Sequence, residues 1–475
     1  METHPLFINA EWVETDETLA VIDPATEEEF ARVHAADVGL TEEALQAADD
    51  AFEEWKSRTA MERADLLLAT ARELESRADQ VARIITRENG KPLAQSRGEV
   101  GMSVDHLRWF AEECRRACGR IVPNQEAGKR HLVIRVPVGT VGAIAPWNFP
   151  LVLSARKAAP ALAAGCPVVL KPSSRTPLCA LQLAECFEAA GIPKGVFQVI
   201  AGDAAEIAGR MLARPSCRKV SFTGSTPVGK QLIRQSARTV TNLSLELGGH
   251  APLLVFDDAD MEAAVEGALI TKFRNTGQSC IASNRIYVQR GIYEKFLDAF
   301  VERTQAMKMG NGLEEGVEIG PMIDASSLSA AMQQVQDATS KGARCLCGGG
   351  RRAGRGYFLQ PTVLADVPED AACMSEETFA PVAPVCPFEE EGEAIKRAND
   401  TEYGLAAYAY TGDVSRAMRL GEKLEAGTVG INDAVPSTSI CPFGGMKQSG
   451  WGRELGSEGL DAFLETRHVS LGGVD

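Results

Sequence analysis

The 475-residue chain has only six histidines, and no two of them stand at a spacing that would ligate one metal ion. A catalytic metal is therefore not expected. Its twelve cysteines contain no Cys-x-x-Cys pair. The nearest couples, Cys114/Cys118 and Cys345/Cys347, suggest neither a zinc ribbon nor a secreted disulfide framework. No apolar run approaches the roughly 18 residues that a membrane helix needs. Residues 1–7 show no basic stretch leading into an apolar one, so no secretory signal is expected. Basic residues are in deficit: 49 Lys and Arg against 65 Asp and Glu leave a formal charge of −16. That balance lacks the basic footprint needed to hold nucleic acid or an anionic membrane. A reducing cytoplasm is the expected location.

Two phosphate-binding fingerprints are missing as well. No strand-to-helix junction carries Gly-x-Gly-x-x-Gly. The run Gly224-Ser-Thr-Pro-Val-Gly229-Lys230 matches most of a P-loop, but Gln231 stands where a Ser or Thr would hold magnesium. An ATPase is disfavoured accordingly. What remains is ordinary globular composition, 45% apolar and 24% charged. The length suggests about three domains and more than one core.

The pattern turns helical at Thr41, the expected N-cap, followed by Glu42 and Glu43 and by Ala44, Ala48 and Trp55 on one face. Further helices are expected over 63–77, 80–88 and 94–117. Asn89-Gly90-Lys91-Pro92 closes the second of these with a glycine cap and a proline close behind. Trp55 and Trp109 read as core residues. Between 119 and 137 the residues become polar and β-branched, with a strand-like stretch at 132–136. From Gly139 short apolar runs near 141–145, 168–170, 195–200 and 219–223 alternate with helical stretches at 151–164, 177–190 and 204–213. That alternation is the pattern of βαβ units around a parallel sheet. Asn148, Lys171 and Gly224 stand at or just past the carboxyl ends of those strands, where such sheets bind ligands. Past Gly249 a second α/β segment begins, with strands at 252–256 and 285–288 and a helix at 292–308. The glycine-rich stretch 348–356 reads as a mobile surface loop.

Cys280 lies inside Gly277-Gln278-Ser279-Cys280, among small neighbours that leave its sulfur approachable. Taken alone, a cysteine is more often a small core residue. Thirty-four residues upstream, Glu246-Leu247-Gly248-Gly249 offers a carboxylate, a plausible general base, on tightly turned backbone. Further back are Pro146-Trp147-Asn148-Phe149-Pro150 and Lys171-Pro172-Ser173. In this order and at these intervals the four pieces closely resemble the aldehyde dehydrogenase superfamily, from about Leu6 to the C-terminus; Arg156, Arg274 and Ser437 add a resemblance to its succinate-semialdehyde dehydrogenases.

The resemblance implies an α/β fold with a Rossmann-like cofactor domain (1–119 and 138–248) and an α/β catalytic domain (249–445). It also implies a small β oligomerisation arm (120–137 and 464–475) and a segment (446–463) returning to the cofactor domain. A homodimer or homotetramer is expected. Cys280 is implied as the nucleophile, because an aldehyde can surrender hydride to a nicotinamide only after a nucleophile has made a tetrahedral adduct. The Asn148 amide and the Cys280 N–H are implied as oxyanion donors and Glu246 as the base for thioester hydrolysis. Lys171 is assigned to cofactor ribose hydroxyls, with Pro172, Ser173 and Ser174 beside it. Gly224 and Ser225 open a helix near the pyrophosphate. Glu377 matches the glutamate that bonds the nicotinamide ribose, while Trp147, Leu247 and Phe379 complete the cofactor set.

Ser174 stands where relatives that prefer NAD carry an acidic residue, so NADP or NAD is expected with NADP favoured. Ala282 replaces a second cysteine found in some relatives and removes a redox switch. Arg156, Arg274 and Ser437 match positions that hold a substrate carboxylate, implying succinate semialdehyde, with glutarate semialdehyde or a general aldehyde as the alternative. A CoA-acylating enzyme would lack Glu246. A non-catalytic protein on this fold would have no need of Cys280, Glu246, Asn148 and Lys171 together. A thiol hydrolase would need a histidine partner that no motif supplies.

Overall fold

Strands buried on both faces carry unbroken apolar runs instead of alternation, and two parallel sheets built from such runs organise the chain. The computed structural model describes residues 2–473. Residue 1 of the expected cofactor segment and residues 474 and 475 of the expected arm lie outside the described residues. The first sheet has eight strands. Its parallel centre runs Asn242–Glu246, Cys217–Thr223, Thr140–Ile144, Val168–Lys171, Phe197–Val199. Antiparallel strands close both edges: Gly450–Trp451 against Asn242–Glu246, and the pair Leu6–Ile8 and Glu11–Val13 beyond Phe197–Val199.

The second sheet has seven strands, in the order Arg344–Cys347, Thr362–Ala365, Val382–Phe388, Ser283–Gln289, Ala251–Val255, Ala406–Tyr410, Thr428–Ile431. All neighbours in it are parallel except the first pair. Val168–Lys171 and Ala251–Val255 are buried at every residue. The two halves meet at Gly90, which closes the helix Ala78–Asn89 with φ +92; a Cβ there would stand 2.6 Å from the Pro321 ring.

Several boundaries differ from the sequence reading. The first long helix is Val38–Ser57, capped by Asp37, whose carboxylate accepts from the Leu40 N–H at 2.7 Å. Thr41 lies inside it with its hydroxyl donating to the Asp37 carbonyl. Both residues are good caps, and the earlier start turns Leu40 against the core. Leu93–Glu113 stops short of residue 117 and ends in a single 3₁₀ turn, Cys114–Arg116. The stretch 348–356 is tied down at several points: Gly349 N–H donates to Thr362 Oγ1, Arg352 N–H to the Phe358 carbonyl, and Gly356 N–H to Glu27 Oε1.

A third unit stands apart. Lys129–Pro137 pairs antiparallel with Leu464–Gly472 over nine residues, and Arg120–Val122 joins its other side. This three-stranded ribbon, which covers most of the expected arm, leaves Ile121 75% exposed and Leu471 42% exposed. Among the described residues no helix is long and apolar enough to cross a membrane.

Candidate active site

The backbone around Cys280 is held in a conformation that most residues avoid. The helix Met261–Phe273 runs into Asn275, Thr276 and Gly277, all left-handed with φ of 52°, 57° and 71°. Two of the three are not glycine and carry strain, which their bonds offset. Asn275 Nδ2 donates to the carbonyls of Asn148 (2.8 Å) and Gln278 (3.1 Å). The Thr276 hydroxyl exchanges hydrogen bonds with Gly320, and the Gln278 amide reaches Pro321 and Ile323. Glycine is required where the chain passes closest: a Cβ on Gly277 would lie 2.2 Å from the Ala380 carbonyl, and one on Gly249 2.2 Å from the Cys280 carbonyl. The Glu-Leu-Gly-Gly turn thus lies directly against the Cys280 loop. Cys280 keeps part of its surface open.

Above this loop a cavity of about 210 Å³ is lined by Trp147, Asn148, Gly224, Ser225, Leu247, Cys280, Glu377 and Phe379. Eight residues expected from the sequence thereby share one wall, joined by Pro146, Thr223 and Gly248. Trp147 and Phe379 meet edge to face at 5.5 Å. Glu377, unlike its exposed neighbour Glu376, is half-buried and accepts from the Gly249 N–H at 2.9 Å. Burial raises its carboxyl to about 7, while that N–H and Lys272 act in the opposite sense. The helix Thr226–Ser236 opens at Ser225 with no side-chain cap, so its first N–H groups are free for an anion.

Lys171, Pro172, Ser173 and Ser174 do not line this cavity. They follow the end of the neighbouring strand, where the Ala145 N–H donates to the Lys171 carbonyl. Lys171 as a residue is 4% exposed, and its ammonium has no hydrogen bond or ion pair among the described residues. Burial lowers it to about 8, with Asp203 opposing. An unpartnered buried cation at a strand end suits a polyhydroxyl or phosphate ligand. Arg175 is held by Asp324 at 2.5 Å and is not free beside Ser174.

Glu246 is 3% exposed, and neither carboxylate oxygen has a hydrogen-bond partner. The Pro-Phe-Gly-Gly run explains part of its setting, since a Cβ on Gly444 would meet Glu246 Oε1 at 2.8 Å. Burial first, then the Glu454 carboxylate, hold its proton affinity well above the usual carboxylate range, and Lys157, Arg156 and Arg453 pull it back. Burial and the carboxylates of Glu377 and Glu246 push the Cys280 thiol up to about 12. Lys157 and Glu454 escaped the sequence reading. Lys157 Nζ is fully buried and donates to Glu454 Oε1 (2.6 Å) and Thr223 Oγ1 (2.6 Å). Its signal was present: Lys157 is a charged residue in Pro150–Ala164, an otherwise Ala/Leu-rich helix whose fifteen residues are all buried.

The three residues expected at the substrate end fare differently. Arg274 lies with its guanidinium 5.3 Å from the Phe149 ring and Nη2 3.7 Å from Met102 Sδ, with no carboxylate within 4 Å among the described residues. Arg156 is engaged already, 3.8 Å from Glu454 and over the Phe443 ring, although its Nε has no partner. Ser437 lies in the irregular loop after Thr428–Ile431, and no hydrogen bond joins it to either arginine.

Paired α/β sheets with a cavity at the strand ends and a cysteine in its wall fit an oxidoreductase that takes a nucleotide cofactor. Residues 12–469 match the aldehyde dehydrogenase family, and the chain belongs to that family. It is 48% identical to the 3-sulfolactaldehyde dehydrogenase of Pseudomonas putida over 99% of this chain and 97% of that protein. It is 46% identical to the NADP(+) succinate-semialdehyde dehydrogenase of Escherichia coli over 98% and 97%. A crystal structure described as an E. coli NADP-dependent enzyme superposes with a TM-score of 0.98 at 45% identity, covering 99% of this chain and 98% of that one.

Proposed function

We propose that this chain oxidises a short aldehyde bearing an anion at its far end to the carboxylic acid, with succinate semialdehyde foremost and NADP favoured over NAD. The observation that carries the substrate reading is Arg274, a largely buried guanidinium six residues before Cys280 that lacks a carboxylate partner. Burial costs a cation its hydration, and a bidentate carboxylate from the substrate would return it. The names of the two relatives support the class, because each acts on an aldehyde with a remote sulfonate or carboxylate. Glutarate semialdehyde is the alternative within that class.

The cavity and its surroundings suit the cofactor. Lys171 would meet ribose hydroxyls, the N–H groups after Ser225 the pyrophosphate, and Glu377 the second ribose. Bound there, the nicotinamide supplies an acceptor for hydride. The protein's own work begins at Cys280, whose sulfur bonds to the aldehyde carbon as its proton passes to a base. The carbonyl oxygen becomes an oxyanion facing the Asn148 amide and the Cys280 N–H. Loss of hydride leaves a thioester on Cys280. Glu246 then takes a proton from the attacking water, and sulfur departs. Its raised proton affinity makes Glu246 a stronger base than an exposed carboxylate.

The test of the substrate reading compares succinate semialdehyde with butanal, a chain of equal length without the anion. Arg274→Ala is expected to cost about 1.5–3 kcal/mol, roughly ten- to a hundredfold in kcat/KM, on the first and little on the second. Equal rates on both aldehydes in the unaltered enzyme would reduce the assignment to general aldehyde oxidation. Including a sulfonated aldehyde in the panel separates carboxylate from sulfonate recognition.

A pH experiment tests the setting of Glu246. It acts as a base, so hydrolysis rises with pH through its raised value. Glu454 raises that value and Lys157 lowers it. Glu454→Gln removes the first and frees the second from its partner, so the rise in thioester hydrolysis is expected at lower pH. The single-turnover pH profile reads the shift, and an unmoved profile would show that Glu454 does not act on the base.

A further inference from the structure

A buried ion pair lies behind the oxyanion loop, outside the groups that the chemistry uses. Lys91 Nζ and Glu99 Oε2 are 2.6 Å apart, and both side chains are 0% exposed. A buried ion pair contributes little net stability compared with apolar packing, so its placement calls for another reason.

Each partner also grips the segment that carries Asn148. Glu99 Oε1 accepts from the Leu151 N–H (2.9 Å) and the Val152 N–H (3.2 Å), the first turn of the helix Pro150–Ala164. That helix has no side-chain cap of its own, so Glu99 provides from a distance the acceptor its N-terminus lacks. Lys91 Nζ donates to the Asn148 carbonyl at 2.7 Å and stands 4.0 Å from the centre of the Phe149 ring. The same carbonyl accepts from Asn275 Nδ2 at 2.8 Å, and Asn89 Nδ2 donates to the Trp147 carbonyl at 2.9 Å. The main chain of Trp147 and Asn148 is thus pinned from the end of one helix and from the nucleophile loop together. Phe149 lies against the guanidinium of Arg274 as well as the ammonium of Lys91.

We propose that Lys91 and Glu99 form a positioning pair that fixes the Asn148 backbone, aiming its amide at the oxyanion and keeping that end of the site in register with Arg274. The inference rests on the reading of Asn148 as an oxyanion donor. In this structure the Asn148 amide donates to the Gln278 carbonyl at a long 3.3 Å, so its side chain is only weakly held by its own contact. Orientation must come from the main chain. A neighbouring carboxylate shows that such distant capping recurs: Glu88, also fully buried, accepts from the N–H groups of Leu178 and Cys179 at the start of Leu178–Ala189.

The experiment is a double-mutant cycle on the single-turnover rate of cofactor reduction, with Lys91→Met and Asn148→Ala made singly and together. Glu99→Gln, which retains an acceptor for the two N–H groups, serves as the milder variant should Lys91→Met fail to fold. Asn148→Ala is expected to slow the step by about a hundredfold, and Lys91→Met by about tenfold. In the Asn148→Ala background the lysine change is expected to cost less than about twofold, because a positioning residue has no effect once the group it aims is gone. Cofactor affinity, measured by fluorescence titration, is expected to stay unchanged. Equal losses in both backgrounds, or a matching fall in cofactor affinity, would assign the pair to general stability and overturn the proposal. A full rate in Lys91→Met or Glu99→Gln beside a slow Asn148→Ala would overturn it too, while leaving the oxyanion reading standing. A full rate in Asn148→Ala would overturn both.

Discussion

Cys280→Ser is expected to eliminate aldehyde oxidation, with turnover falling by roughly 10⁴-fold or more, as when a covalent nucleophile is removed. The hydroxyl is a far weaker nucleophile than the thiolate, and no histidine is among the residues lining the cavity beside Cys280. The cofactor groove owes its walls to Trp147, Leu247, Glu377, Phe379 and the start of Thr226–Ser236, so cofactor binding is expected to be unchanged in the same variant. Fluorescence titration and a reduced-cofactor assay on one preparation check both halves. Turnover at even a tenth of the original rate would dismiss Cys280 as the nucleophile.

Glu246→Gln is expected to separate the two halves of the reaction. Hydride leaves before water attacks, so a first turnover should release close to one equivalent of reduced cofactor per active site. The steady rate after it is expected to fall by about 10²- to 10⁴-fold, the usual scale of a general base. The glutamine fits the same space, and no hydrogen bond to either Glu246 oxygen is lost. Mass spectrometry of the stalled protein is expected to find the acyl group on Cys280. A steady rate equal to that of the unaltered enzyme would mean that another group activates water.

Local signals made much of the site legible before any fold was known. Cys280 among small neighbours, Glu246 before two glycines and Asn148 between prolines are each ambiguous singly, and together they point to the chemistry proposed above. The alternation of apolar runs and helices after Gly139 located four of the eight strands of the first sheet to within a few residues. Where the reading slipped at helix ends, local signals were close to balanced. Asp37 took the cap expected of Thr41, and Glu113 ended a helix expected to reach residue 117.

The sequence by itself determined the family and the paired α/β architecture and nominated the groups proposed to react, because these depend on residue types repeated at short range and on motifs each confined to a few residues. Tertiary structure alone decided how those groups are held and tuned. Glu454 reaches the surroundings of Glu246 from 208 residues away, through the antiparallel return of Gly450–Trp451 along Asn242–Glu246. Lys91 serves the loop at Asn148 from the link after Ala78–Asn89 and Glu99 from the helix Leu93–Glu113, and Arg156 spends part of its charge on Glu454 while Arg274 keeps its own. Proton affinity and side-chain aim depend on burial and on charges a few ångströms off in space, and distance along the chain carries no information about either.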